Sequence, residues 1–338
     1  MAPSLISLVI PFALASYLAV RGLKKRSLSP DGAAAAFIVG FWLMSVPLRV
    51  FGVTMIIFYL AASRAPLQAT KVGHSLKKKL SEDGNEEAGY RNAWQVLCNS
   101  FSALVAGTIW SVLLYPDSLQ ATLIRPLYSA PLVDQTTFVS SWCPPSLFSS
   151  ISHSVNVVPI SRALIFAALG HFACCCGDTF ASELGILSKS PPRLVIAPWK
   201  TVPPGTNGGM SVMGTLASLG GGILVGFTIA VDLWIERAGC LASSKPFGFQ
   251  LLEFVVYGGL AGVVGSLTHH LWRIQIDSLL GAILQRSVFS KSSKMILKDG
   301  VVRPKTDDVV VSGLNILSNN QVNFVSSIVT ACLLAALA

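Results

Sequence analysis

Charged residues are scarce in this sequence. They make up 12% of its 338 residues, hydrophobic residues make up 52%, and the mean hydropathy is +0.62. Soluble domains carry roughly 25% charged residues. A soluble globule of this composition lacks the polar material to cover its own surface, whereas lipid-facing helices need none. Cysteine pairing is also missing. There are seven cysteines, no CxxC pair occurs, and Cys174, Cys175 and Cys176 are consecutive in an apolar stretch. Neighbours on a helix diverge, so these are small membrane residues and not a disulfide framework. The chain has no Asn-x-Ser/Thr sequon, no Walker motif, no G-x-S-x-G, no H-E-x-x-H and no dinucleotide fingerprint. The net charge of +9 would suggest nucleic acid in a soluble protein. Here the basic residues sit in short segments between apolar stretches, so topology explains them and no nucleic-acid partner is expected.

What is present is a series of long apolar runs. A helix needs about 20 mostly apolar residues to cross a bilayer. The sequence predicts an all-α, polytopic membrane protein with eight spans in one domain over 1–338. The spans are 2–20, 33–47, 49–62, 93–115, 159–187, 209–235, 251–284 and 319–338. Pro47 and Arg49 divide the second from the third. Residues 116–158 form a weakly charged non-cytoplasmic loop. Basic clusters at 21–26, 71–79, 189–200 and 286–305 all fall on one side by alternation, which the positive-inside rule makes cytoplasmic. The first apolar run precedes its basic residues, the reverse of a secretory signal. No Arg- and Ser-rich presequence precedes it, so a plastid or mitochondrial address is not expected. The stretch 251–284 is too long for one span and carries His269, His270 and Arg273, so it breaks in the middle or carries an insertion.

Polar residues in and beside the spans form three groups. The first runs from Gly177 to Gly185. Asp178 and Ser182, like Thr179 and Glu183, are four apart and share helix faces. Acids inside a membrane mark function by default. Carboxylates at a helix end suit a hard cation such as Mg²⁺, and the bland alternative is hydrogen bonding between helices. The second group is Arg193, Lys200 and the turn Gly205, Thr206, Asn207, Gly208 and Gly209, which leads into a helix. Such turns present backbone N–H groups to phosphate, or simply make a rigid corner. The third is Asp277, Gly281 and Gln285, spaced by four. Asp277 is a candidate second ligand or a packing hydrogen bond. Asn320 and Asn323 open the last span. Arg91, Gln95 and Asn99 share a face at the start of another.

The strings GDTFASELG, PPRL, VPPGTNGG, DSLLGAILQ and NNQVN, with KRSLSPDG and RNAWQVLCN upstream, resemble the transmembrane protein 19 family in order over nearly the whole chain. The resemblance implies either of two roles. One is that of the phytyl-phosphate kinase branch, which implies CTP-dependent phosphorylation of an isoprenoid monophosphate. The other is that of a plant plasma-membrane glucose-responsive regulator, which lacks a plastid presequence, as this chain does. On the kinase reading, Asp178 and Glu183 would hold Mg²⁺ and Asp277 would assist. Thr179, Ser182, Arg193, Lys200, the Gly205–Thr206–Asn207–Gly208–Gly209 turn, Gln285, Asn320 and Asn323 would bind nucleotide and lipid phosphates. Residues 268–275 depart from the family pattern as an insertion before Asp277.

Overall fold

The computed structural model describes residues 5–72, 91–127, 157–236, 247–264, 276–291, 295–297 and 308–338. The inserted residues 268–275 lie outside these, as do 73–90 and most of the loop 116–158.

Eleven α-helices occur among the described residues. The N-terminal flank comprises α1 (Leu5–Lys24), α2 (Pro30–Met44) and α3 (Val50–Val72). Ser29 caps α2, its side chain accepting from Gly32 N, and Pro30 occupies the first turn, where its missing N–H costs nothing. Residues 45–49 turn the chain into α3. The stretch 93–115 is broken into α4 (Ala93–Cys98) and α5 (Phe101–Leu114). The core helices are α7 (Val157–Leu184), α8 (Val212–Glu236), α9 (Phe247–Val264) and α11 (Asn319–Leu337). Two short helices complete the set, α6 (Leu119–Ile124) and α10 (Ile276–Leu284).

Among the described residues four helices are long and apolar enough to cross a membrane, α1, α7, α8 and α11. Four shorter apolar helices, α2, α3, α5 and α9, accompany them. α7 is the central element, packing on α3, α5, α8, α9 and α11. Its apolar window is 72% buried, against 22% for α1, which packs chiefly on α2. Phe51, Trp110, Phe166, Leu169 and Phe172 are wholly enclosed around it.

Two features correct the sequence reading. The fold is mostly helical and not purely so, because the loops on either side of α8–α10 carry two small antiparallel sheets. β1 (Arg193–Leu194) lies between β2 (Ala197–Thr201) and β3 (Gly209–Met210). β4 (Ser287–Ser290) lies between β5 (Met295–Leu297) and β6 (Val309–Ser312). These strands are two to five residues long with register breaks, too short for a legible period-two pattern. The overlong region 251–284, expected to break or to carry an insertion, holds the end of α9 and all of α10, and residues 265–275 between them lie outside the described residues. In addition, the loop starting at 116 contains α6, with Gln120 buried and its Nε2 donating to Trp42 O at 2.7 Å.

Candidate functional site

The close contact of α8 and α9 fixes the frame. Side chains on Gly222 or Gly226 would strike the carbonyl groups of Gly258 and Phe254, and Gly258 and Gly262 face α8 in the same way. Small residues at four-residue spacing let the two backbones touch. Gly177 on α7 likewise sits against Gly262 O and Ser218 Oγ, each 2.8 Å from where a Cβ would lie. The end of α7 is thereby held against the start of α8.

A second small core supports the loops. Leu194, Val195 and Val202 pack on Ala282 of α10, with Met210 and Val311 around them. This cluster joins both sheets to α10. Gly208 lies at φ +74, in the left-handed region, and a Cβ there would collide with Ala282. The turn therefore needs glycine for conformation and for close approach. Its backbone is anchored further along, where Asn207 N donates to Ser287 Oγ at 2.9 Å.

These contacts enclose a cleft of about 270 Å³. Asp178 and Ser182 line it from α7, Thr206 and Gly208 from the turn, and Asp277 and Gln285 from α10 and its end. Gly205, Asn207, Gly209 and Gly281 complete the predicted residues in its wall. The first turn of α8 also faces it through Gly214 and Thr215, with Ser211 just before the helix. A helix N-terminus directed at a polar cleft favours anions.

At the inner end the carboxyls of Asp178 and Asp277 hydrogen-bond each other. Asn323 Nδ2 on α11 donates to Asp178 Oδ2 at 3.0 Å, and Ser326 Oγ donates to Asp277 Oδ1 at 3.1 Å. Asn323 Oδ1 is buried without a hydrogen-bond partner. Two carboxyls this close repel when both are ionised, so a shared proton or a cation must hold them. The donors available are all hard oxygens, which fits Mg²⁺, an ion content with one or two carboxylates plus water and phosphate. Among the described residues no cluster of three or more His, Cys, Asp or Glu residues has metal-binding geometry.

The pairing of Asp178 with Glu183 is not what the fold brings together. Five residues along a helix is a rotation of about 140° from Asp178, and Glu183 is outside the cleft wall. Its side chain acts instead on the guanidinium of Arg91. Thr179 also turns away, its Oγ1 donating to Cys175 O at 2.9 Å. Arg193 donates to Pro198 O at 3.1 Å and Lys200 to Val311 O at 3.4 Å, so both brace the exposed loops beside the cleft. Asn320 is outside the wall, whereas its neighbour Asn319 is in it. Sequence reasoning missed Asn319, Ser211, Ser278 and Ser326. The signal for Ser326 was its position three residues after Asn323 on the same helix face, and for Ser211 its place just before α8.

A polar cleft built from the ends of apolar helices, with acids presented inside the bundle, defines an integral membrane protein with an internal polar site. The chain belongs to the integral membrane protein DUF92 family, whose profile matches residues 13–331. It is 34% identical to Protein PGR of Arabidopsis thaliana over 96% of this chain and 94% of that one. It is also 31% identical to an uncharacterized membrane protein of Methanocaldococcus jannaschii, over 39% of this chain and 48% of that one. No solved structure matches it.

Proposed function

We propose that the chain is a membrane-embedded lipid-phosphate kinase and that the cleft is its active site. The observation that supports this reading is the meeting of Asp178, Asp277 and the Gly205–Thr206–Asn207–Gly208–Gly209 turn in one cavity, with Asn323 hydrogen-bonded to Asp178 beside it. Phosphoryl transfer needs positioning and charge neutralisation more than covalent chemistry. An oxygen of an isoprenoid or alkyl monophosphate attacks the terminal phosphorus of a nucleoside triphosphate, CTP by preference. The bond to the leaving nucleoside diphosphate breaks and a lipid diphosphate forms. Asp178, Asp277 and Asn323 Oδ1 would hold Mg²⁺, which supplies neutralising charge to the phosphates. The turn and the start of α8 orient phosphate oxygens, Ser182 and Gln285 add hydrogen bonds, and Arg193 and Lys200 raise the local positive potential. Eight membrane crossings, with both sheets on the cytoplasmic face and the protein in the plasma membrane, complete the proposal.

The test is nucleotide-dependent phosphorylation of phytyl or geranylgeranyl monophosphate by purified protein with Mg²⁺. Asp178→Asn should reduce the rate on the order of 10³-fold while the protein still folds, since it removes charge from where phosphate charge is neutralised. Absence of diphosphate product from every lipid and nucleotide pairing, with folded protein, would refute it. A second reading is a non-enzymatic plant plasma-membrane regulator of glucose-responsive growth. The full-length likeness to Protein PGR favours it. On that reading Asp178→Asn complements a growth phenotype as well as the unaltered chain does.

A further inference from the structure

The two upstream strings KRSLSPDG and RNAWQVLCN contribute nothing to the cleft. The structure knits them to each other. Ser29 N donates to Arg91 O at 3.0 Å, and Arg91 N donates to Ser27 O at 3.1 Å. Ala93 N donates to Asp31 Oδ2 at 2.9 Å. A side chain on Gly32 would strike the Arg91 carbonyl, so the two segments meet at backbone distance. Asn92 and Gln95 are consumed in a capping box that starts α4. These bonds hold the main chain of Arg91 in place.

Arg91 stands at one end of a slot of about 80 Å³ enclosed by α1, α2, α3 and α4. The slot is polar at this end, where Arg91, Tyr59 and Asn99 line it. Further in it is wholly apolar, walled by Ala15, Gly40, Met44 and Met55. From Ala36 to Met44, both in the wall, α2 rises about 12 Å. Burial lowers the pKa of the Arg91 guanidinium from its ordinary value, while Tyr59 and then Glu183 act on it in the opposite sense. The outer wall is α1, whose other faces are open, with Ile6 and Ile10 largely exposed.

We infer that this slot is a binding site for a single-chain anionic amphiphile, its head on Arg91, Tyr59 and Asn99 and the first few carbons of its chain between α1, α2 and α3. A half-buried guanidinium at the mouth of an otherwise apolar slot favours an anionic head through a charge-assisted contact, and the gradient from charged to apolar matches the order of parts in an alkyl phosphate or a fatty carboxylate. No residue of the slot lines the Asp178 cleft. The site therefore stands whether or not the cleft is a kinase centre.

The experiment uses the full chain in nanodiscs and a dodecyl phosphate carrying a photoreactive diazirine on its chain, with adducts mapped by mass spectrometry. Adducts are expected on residues 36–59, displaced by unlabelled dodecyl phosphate and not by dodecanol. Dodecanoate serves as a second arm and decides whether phosphate or carboxylate is preferred. Gly40→Ile should fill the slot and abolish labelling. A Cβ at Gly40 meets its nearest neighbours, Ala15, Met44 and Met55, at an ordinary 3.7 Å, so Gly40→Ala should leave labelling intact. Arg91→Gln should weaken displacement roughly tenfold or more, by loss of a charge-assisted contact, and Arg91→Lys should recover part of it. Asp178→Asn should leave labelling unchanged, which separates this site from the cleft. Labelling that survives Gly40→Ile, displacement as strong by dodecanol as by dodecyl phosphate, or adducts confined to the cleft residues would overturn the inference.

Discussion

The α8–α9 pair and the α1–α2–α3 flank are both apolar helices in contact, yet they pack by opposite rules. α8 and α9 meet through Gly222, Gly226, Gly258 and Gly262, so backbone touches backbone and no space remains. The flank touches backbone to backbone at Gly52 and Met44, but around the slot it meets through longer side chains such as Met44, Met55 and Phe58, and space remains among them. Membrane helices gain little from burying apolar surface against one another, since lipid is equally apolar, and close fit decides their association. A site that must hold two acids at hydrogen-bond distance is built beside the rigid contact. A site that admits a flexible chain lies beside the loose one.

The comparison breaks most completely at Gly226. A leucine there must displace the Phe254 backbone, and α8 and α9 must part. Overpacking costs about 3 kcal/mol or more where nothing can yield. Gly226→Leu should lose the folded monodisperse protein in size-exclusion chromatography. The next largest effect concerns the tie between α7 and α9. Arg162 Nη2 donates to Glu253 Oε1 at 2.6 Å, with side chains only 8% and 16% exposed, and the Arg162 guanidinium stacks on Phe166. Arg162→Met leaves a carboxylate without its partner, at about 3 kcal/mol. Adding Glu253→Leu should restore much of the loss in thermal denaturation. If the double variant is no better than the single one, the pair contributes by packing and not by charge.

The flank's own tie should prove weaker. Arg49 is 74% exposed where it meets Glu236 of α8 at 3.6 Å, and its main-chain N–H also donates to that carboxylate at 2.9 Å. Arg49→Ala keeps the main-chain bond, so the change should stay within about 1 kcal/mol. Smallest of all is Gly40→Ala. Its Cβ meets only ordinary contacts, so helix propensity should raise stability by up to about 1 kcal/mol. A melting shift at Gly40 as damaging as that at Gly226 would erase the distinction between the two regions.

Much of the scaffold was legible in the chain. Hydropathy marked the apolar helices, because a run of apolar residues is a local property. Pro47 and Arg49 marked the turn between α2 and α3. The glycine turn before α8 was visible because φ +86 at Gly205 and φ +74 at Gly208 are conformations that favour glycine. The small sheets were not legible, since two-residue strands leave no periodicity. The break of 93–115 at Asn99 and Ser100 was equally unread, because neither residue is a helix breaker and polar side chains also occur within spans.

The site divides in the same way. The sequence by itself determined that the protein sits in a membrane, which acids it carries there, and which turn leads into α8. It did not determine which carboxyls meet. Sequence proximity pointed Asp178 toward Glu183, yet helix geometry turns those two about 140° apart. Only tertiary packing brought Asp178 to Asp277 and Asn323, and it did so because glycine contacts fix how α7, α8 and α9 approach. Hydropathy and helical period are written in neighbouring residues. The distance between two acids on different helices is set by how those helices fit, and that fit exists only in the folded bundle.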